Sequence, residues 1–189
     1  MTEMKTYKHD VPLWVERMEG RDKGAPKPTG PWDDEPDKAQ WVDDATGLDC
    51  LIVRGPMGAL CGYVGVPSTH PMYDIEYGSC ATKECEDTWC SHSPIQRLEV
   101  HGGLTFSARC HESDKGEAYG ICHVPGEGRP TDVWWFGFDC AHAWDIAPGM
   151  VWSNRMIGFP DREPDETYRD FAYVTDEVTK LAEQLAAIT

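Results

Sequence analysis

Between Asp139 and Asp145 the chain reads Asp-Cys-Ala-His-Ala-Trp-Asp, which gathers two carboxylates, a thiol and an imidazole in one short segment. Asp139, His142 and Asp145 recur at every third position, and on a helical or turn-like backbone the first two face the same way. Imidazole and carboxylates together suit Zn²⁺, Mn²⁺ or Fe²⁺. A carboxylate that orients an imidazole also makes an acid–base pair. A second imidazole, His101, ends another apolar run and precedes Gly102-Gly103, where the chain can turn sharply or a ligand can approach the backbone. If the two strands are neighbours, His101, Asp139 and His142 converge as metal ligands. Asp145 then serves as fourth ligand or base, and Asp145 and His142 carry the catalysis. Three protein ligands leave a position for water, whose pKa the metal lowers until it is a nucleophile at neutral pH. A plain structural alternative stands beside this: a buried histidine satisfies a backbone carbonyl, and Asp139 and Asp145 cap a helix.

Two further cysteine patterns bear chemistry. Cys80, Cys85, Cys90 and His92 are four potential ligands in one loop of little apolar content. A structural zinc would give that loop a reason to be ordered; a disulfide or free thiols are the alternatives. Cys140 and His142 could pair as nucleophile and base if both lie on a strand. Cys50, Cys61, Cys110 and Cys122 sit in or beside apolar runs and read as small core residues. Around the acidic segment stand Trp134, Trp135, Trp144 and Trp152. Strand alternation puts Trp134 and Trp135 on opposite faces, one in the core and the other available to floor a pocket for a ring such as a nucleobase.

The elements that must position these groups predict an α+β fold. About five strands, antiparallel or mixed, are expected within 50–54, 60–66, 97–101 with 104–108, 119–124 and 133–138. Gly62 and Gly65 suggest that a backbone or ligand comes close to the second strand. Phe171, Val174, Val178, Leu181, Leu185 and Ile188 draw an apolar stripe along a C-terminal amphipathic helix, capped by Thr167 or Asp165 and packed on the sheet. Residues 48–189 read as a single domain. Residues 1–47 read as an irregular arm: a short helix over 11–18, then a loop broken by glycines and prolines and rich in acid.

Seventeen Lys and Arg against 33 Asp and Glu give a formal charge of −16. Such a surface repels nucleic acid and anionic membranes. A metal ion, a small molecule or a host protein is the expected partner. No apolar stretch follows the first lysines, and no run is long enough to span a bilayer. These features predict a cytoplasmic protein whose eight cysteines are free thiols or metal ligands. The acidic runs at 33–37 and 161–170 read as solvated faces; the sharper alternative is mimicry of DNA phosphates.

The segments Gly62–Pro67, Val100–Thr105 and Trp134–His142 (Trp-Trp-Phe-Gly-Phe-Asp-Cys-Ala-His) resemble those of a family of small uncharacterised proteins encoded by bacteriophages and prophages. Tyr168-Arg169-Asp170 and the C-terminal helix are similar too, so the resemblance runs in patches over roughly 48–189. It implies a phage-related setting, in the host cytoplasm, and an accessory role during infection. It carries over no catalytic residue. The cysteine cluster at 80–90 looks like an addition to the common pattern. The functional expectation is a metal-dependent hydrolase acting on a nucleotide or phosphoester. Its alternatives are an acidic, non-enzymatic protein that inhibits a host protein or sequesters a small molecule, and a structural virion component.

Overall fold

The computed structural model describes residues 3–21, 23–79 and 94–189. Six strands form one antiparallel sheet: β1 (Lys5–Tyr7), β2 (Lys38–Val42), β3 (Asp49–Arg54), β4 (Leu60–Pro67), β5 (Phe106–Arg109) and β6 (Val133–Asp139), in the order β1-β2-β3-β4-β6-β5. Three helices complete it: α1 (Leu13–Met18), α2 (Pro148–Met156) and α3 (Phe171–Ala186). This is the expected α+β architecture, with an antiparallel sheet and a C-terminal helix.

The alternation of side chains assigns the two faces. Cys50, Ile52, Val64, Val66, Trp134, Phe136 and Phe138 point to one side, where Val174, Val178, Leu181 and Leu185 of α3 cover them. Leu51, Val53, Tyr63, Val133 and Trp135 form a second core on the opposite side. Trp134 and Trp135 therefore face opposite ways as expected, and both are buried. A third cluster joins α1 and α2 through Trp14, Val15, Trp32, Val151 and Trp152. At Gly62 and Gly65 it is not a backbone that comes closest. Side chains do: the Phe138 ring and Val178 stand within 2.6 Å of where a Gly62 Cβ would lie, and the Trp135 ring closes over Gly65.

Several expectations are corrected. The stretch read as arm and loop supplies β1 and β2, so the sheet extends across residue 47. The short helix expected over 11–18 is α1, Leu13–Met18, with Pro12 as its N-cap. Residues 97–101 are not a strand: a 3-10 turn over Pro94–Arg97 leads into an extended stretch without a strand partner. There Glu99 N donates to Gln184 Oε1 at 2.7 Å and Gln184 Nε2 donates to Glu99 O at 2.9 Å, so a side chain of α3 takes the place of a neighbouring strand. Residues 119–124 contribute one isolated bridge, His111 to Ile121. That bridge folds the loop back until Cys110 and Cys122 lie 4.7 Å apart at Cα and join in a disulfide. These two cysteines are thus neither free thiols nor plain core residues, and they no longer support a reducing compartment. Asp170, one turn later than expected, caps α3 by accepting from Tyr173 N at 2.8 Å. Among the described residues no helix is long and apolar enough to cross a membrane.

Candidate metal centre

Two turns and one helix bring the predicted groups together. Tyr173 and Glu177 lie one turn apart on α3 and face the 98–105 segment. The buried Glu177 carboxylate accepts from His101 N at 2.9 Å, which fixes the backbone of that residue. The Tyr173 hydroxyl and His101 Nδ1 are 3.0 Å apart. Burial pushes the Tyr173 phenol above its ordinary pKa, with Glu177 adding to the effect, so the hydroxyl stays protonated. On the other side of the ring His101 Nε2 donates to Asp145 Oδ2 at 2.7 Å.

Gly102 and Gly103 have φ of +65° and +84° and reverse the chain directly after His101. The expected reason for glycine holds at Gly102 in a specific form. A Cβ there would stand 2.2 Å from His142 Cε1, because the His142 ring lies flat over this turn.

His142 reaches that position from the far side. β6 ends at Asp139, whose Oδ1 accepts from Ala141 N at 3.0 Å and whose Oδ2 accepts from Thr105 Oγ1 at 2.9 Å. The chain then turns through His142–Asp145, closed by Asp145 N donating to His142 O at 3.1 Å. Asp145 is anchored again by a bridge to Thr167. Its side chain is 1% exposed and its oxygens are well occupied. Oδ1 accepts from Arg169 Nε at 2.9 Å, and Oδ2 accepts from His101 and from His142 N at 3.1 Å. Burial disfavours the Asp145 charge, but the hydrogen bonds from His101 and Arg169 outweigh it and hold the carboxyl below its usual range.

His101, His142 and Asp145 each present a ligand atom within 4.8 Å of the other two. His142 Nδ1 lies 3.7 Å from Asp145 Oδ2 and 3.9 Å from Asp139 Oδ1, is shielded from solvent, and makes no hydrogen bond among the described residues. The expected set is thus brought together with one exchange. Asp145 stands among the three convergent ligands, while Asp139 approaches His142 alone. Metal–nitrogen and metal–oxygen bonds of about 2.0–2.2 Å hold tetrahedral ligand atoms roughly 3.5 Å apart. The His142–Asp145 separation suits that spacing. The His101–Asp145 hydrogen bond has to open, with the metal taking the place of its proton. The residues present fit a divalent ion.

Cys140 does not serve as a nucleophile. Burial, reinforced by Asp145, pushes its thiol far above the ordinary range, so no thiolate is available at neutral pH. Cys80, Cys85, Cys90 and His92 lie outside the described residues. Arg169, Tyr173 and Glu177, which hold the ligands, were not singled out from the sequence for this role. Their four-residue spacing beside the apolar stripe of α3 is the signal that could have found them. No protein-family model, curated protein or solved structure matches the chain.

Proposed function

We propose that this corner of the molecule is the divalent-metal centre of a hydrolase. His101 Nε2, His142 Nδ1 and Asp145 would hold the ion. When bound, the ion supplies a water acidic enough to act as a nucleophile near neutral pH. The observation that carries the proposal is the buried His142 Nδ1, which has no hydrogen-bond partner among the described residues and lies within 4 Å of two carboxylates. A buried nitrogen left unpaired costs about 1–3 kcal/mol, which a bound cation would remove.

The roles of the two aspartates exchange relative to the sequence-based expectation. Asp145 is saturated by hydrogen bonds and held anionic, which suits a ligand and makes it a poor base. Asp139, partly exposed and 3.9 Å from His142, would accept the proton of the attacking water. Tyr173 orients His101, and Arg169 balances the charge of Asp145. The phage-like string Trp134–His142 supports placing this chemistry in a phage-related setting.

Hydrolysis of an activated ester such as p-nitrophenyl acetate, measured with and without chelator, tests the proposal. Activity should vanish with chelator and in His142→Ala. It should fall steeply in Asp139→Asn while the metal is retained. Chelator-resistant activity, or full activity in His142→Ala, would overturn it.

One observation favours a binding protein instead. Met150, Ile157 and Phe159 are 52%, 62% and 63% exposed along α2 and its exit, an apolar run on a chain of formal charge −16. Capture of a stoichiometric partner by the His142→Ala protein, together with absence of metal in the wild type, would establish that role.

A further inference from the structure

A cavity of about 360 Å³ opens beside His142 and Asp145, with Trp144, Met57 and Met150 as its apolar wall. That is the lower end of the range that takes small organic ligands. Trp144 is the unusual member. It occupies the third position of the turn His142–Asp145 with φ +76°, a place where such turns normally carry glycine. Its side chain is nevertheless one of the largest and stays 61% exposed, so packing does not account for its presence. Backbone strain of this kind clusters at active sites and ligand clamps.

Charge decides what the indole faces. Three carboxylates, those of Asp145, Asp161 and Glu166, line the cavity, and no lysine or arginine does. Arg169 offsets Asp145, and Arg155 grips Asp161 through two bonds of 2.7 and 2.6 Å. Among the described residues Glu166 has no such cation; its Oε2 accepts from Glu163 N at 2.9 Å. A phosphate placed here would meet three carboxylates and a protein of formal charge −16. An ammonium would meet the Trp144 indole in the cavity wall and the Glu166 carboxylate, the kinds of group that attract cations most directly.

We infer that the cavity selects an alkylammonium group, and that the substrate is an ester or amide whose ammonium rests between Trp144 and Glu166 while its carbonyl reaches the His142 centre. The second half of this inference rests on the proposed hydrolase. The first half does not, because the cavity wall is complete without a metal. The phosphoester and nucleotide substrates expected from the sequence are set aside on the same grounds.

The test is a titration of metal-free protein, followed by calorimetry and by the indole N–H resonances, with tetramethylammonium, its uncharged analogue neopentyl alcohol, and inorganic phosphate. Tetramethylammonium should bind saturably and shift one indole resonance, which is absent in Trp144→Gly. Trp144→Gly and Glu166→Gln should each weaken binding by about tenfold or more, without loss of the folded spectrum. Neopentyl alcohol and phosphate should bind at least about tenfold more weakly. Equal binding of the uncharged analogue, binding of phosphate, undiminished binding in Trp144→Gly, or no binding of the ammonium would overturn the inference. Metal content, measured on separate samples, reports the fate of the hydrolase proposal independently.

Discussion

Among the described residues, the buried charged networks around Arg54 and Asp145 are finished to different degrees. Around Arg54, whose side chain is 2% exposed, every guanidinium nitrogen is used. Nε donates to Asp37 at 2.8 Å, and one terminal nitrogen donates to Gly58 O and Tyr168 Oη, both at 2.9 Å. The other reaches Glu35 at 3.0 Å and Pro36 O at 3.2 Å. Glu35 in turn accepts from Phe171 N at 2.8 Å, tying α3 to the segment before β2. Around Asp145 the carboxylate is equally well served, yet its neighbour His142 keeps a buried nitrogen with no hydrogen-bond partner among the described residues. Between those two residues a tryptophan holds a backbone conformation suited to glycine. A network that satisfies all its members needs nothing from outside and serves the fold. One that leaves a ring nitrogen open beside a strained, exposed side chain is where the proposed metal centre is sited.

Substitutions can break or sharpen this contrast. Arg54→Met should cost the most, about 3–5 kcal/mol, because Asp37 and Glu35 would be left buried without their cation. Urea unfolding would measure it, and a cost near zero would remove the contrast. Gly102→Ala comes next at about 1–2 kcal/mol, since alanine must adopt φ +65°. Its Cβ would also displace the His142 ring, so metal binding should weaken in the same variant. Trp144→Gly should act in the opposite direction. Relief of the φ +76° strain should raise stability by about 0.5–1 kcal/mol after allowing for glycine's greater freedom in the unfolded chain. A clear loss of stability would show that the tryptophan serves the fold after all. His142→Ala should change stability least, within about 0.5 kcal/mol, while abolishing metal binding.

The parts of the fold legible from the sequence are those where burial alone dictates the pattern. β3, β4 and β6 are continuous apolar runs because both faces of the sheet are covered, and the stripe of α3 follows from its single buried face. β2 was hidden because its residues are mixed. Lys38 is buried, but its ammonium is received by the carbonyls of Glu117 and Cys122, a long-range arrangement that no local pattern encodes. The apolar run ending at His101 imitated a strand, although side chains of α3 satisfy its backbone in place of a sheet neighbour. At the centre, residue types and spacing pointed to His101, His142 and the flanking aspartates. The choice of Asp145 over Asp139 was not readable, because it depends on Arg169 and on how the turn closes. The strain at Trp144 was equally out of reach, since a tryptophan in sequence says nothing of its φ.

The most direct test of the central claim is elemental mass spectrometry on untagged protein purified without chelator, with the His142→Ala and Cys85→Ala variants alongside. About one divalent metal per chain, lost in His142→Ala and retained in Cys85→Ala, is the predicted result. Metal retained without His142, or no metal in the wild type after incubation with zinc, manganese or iron, would contradict it.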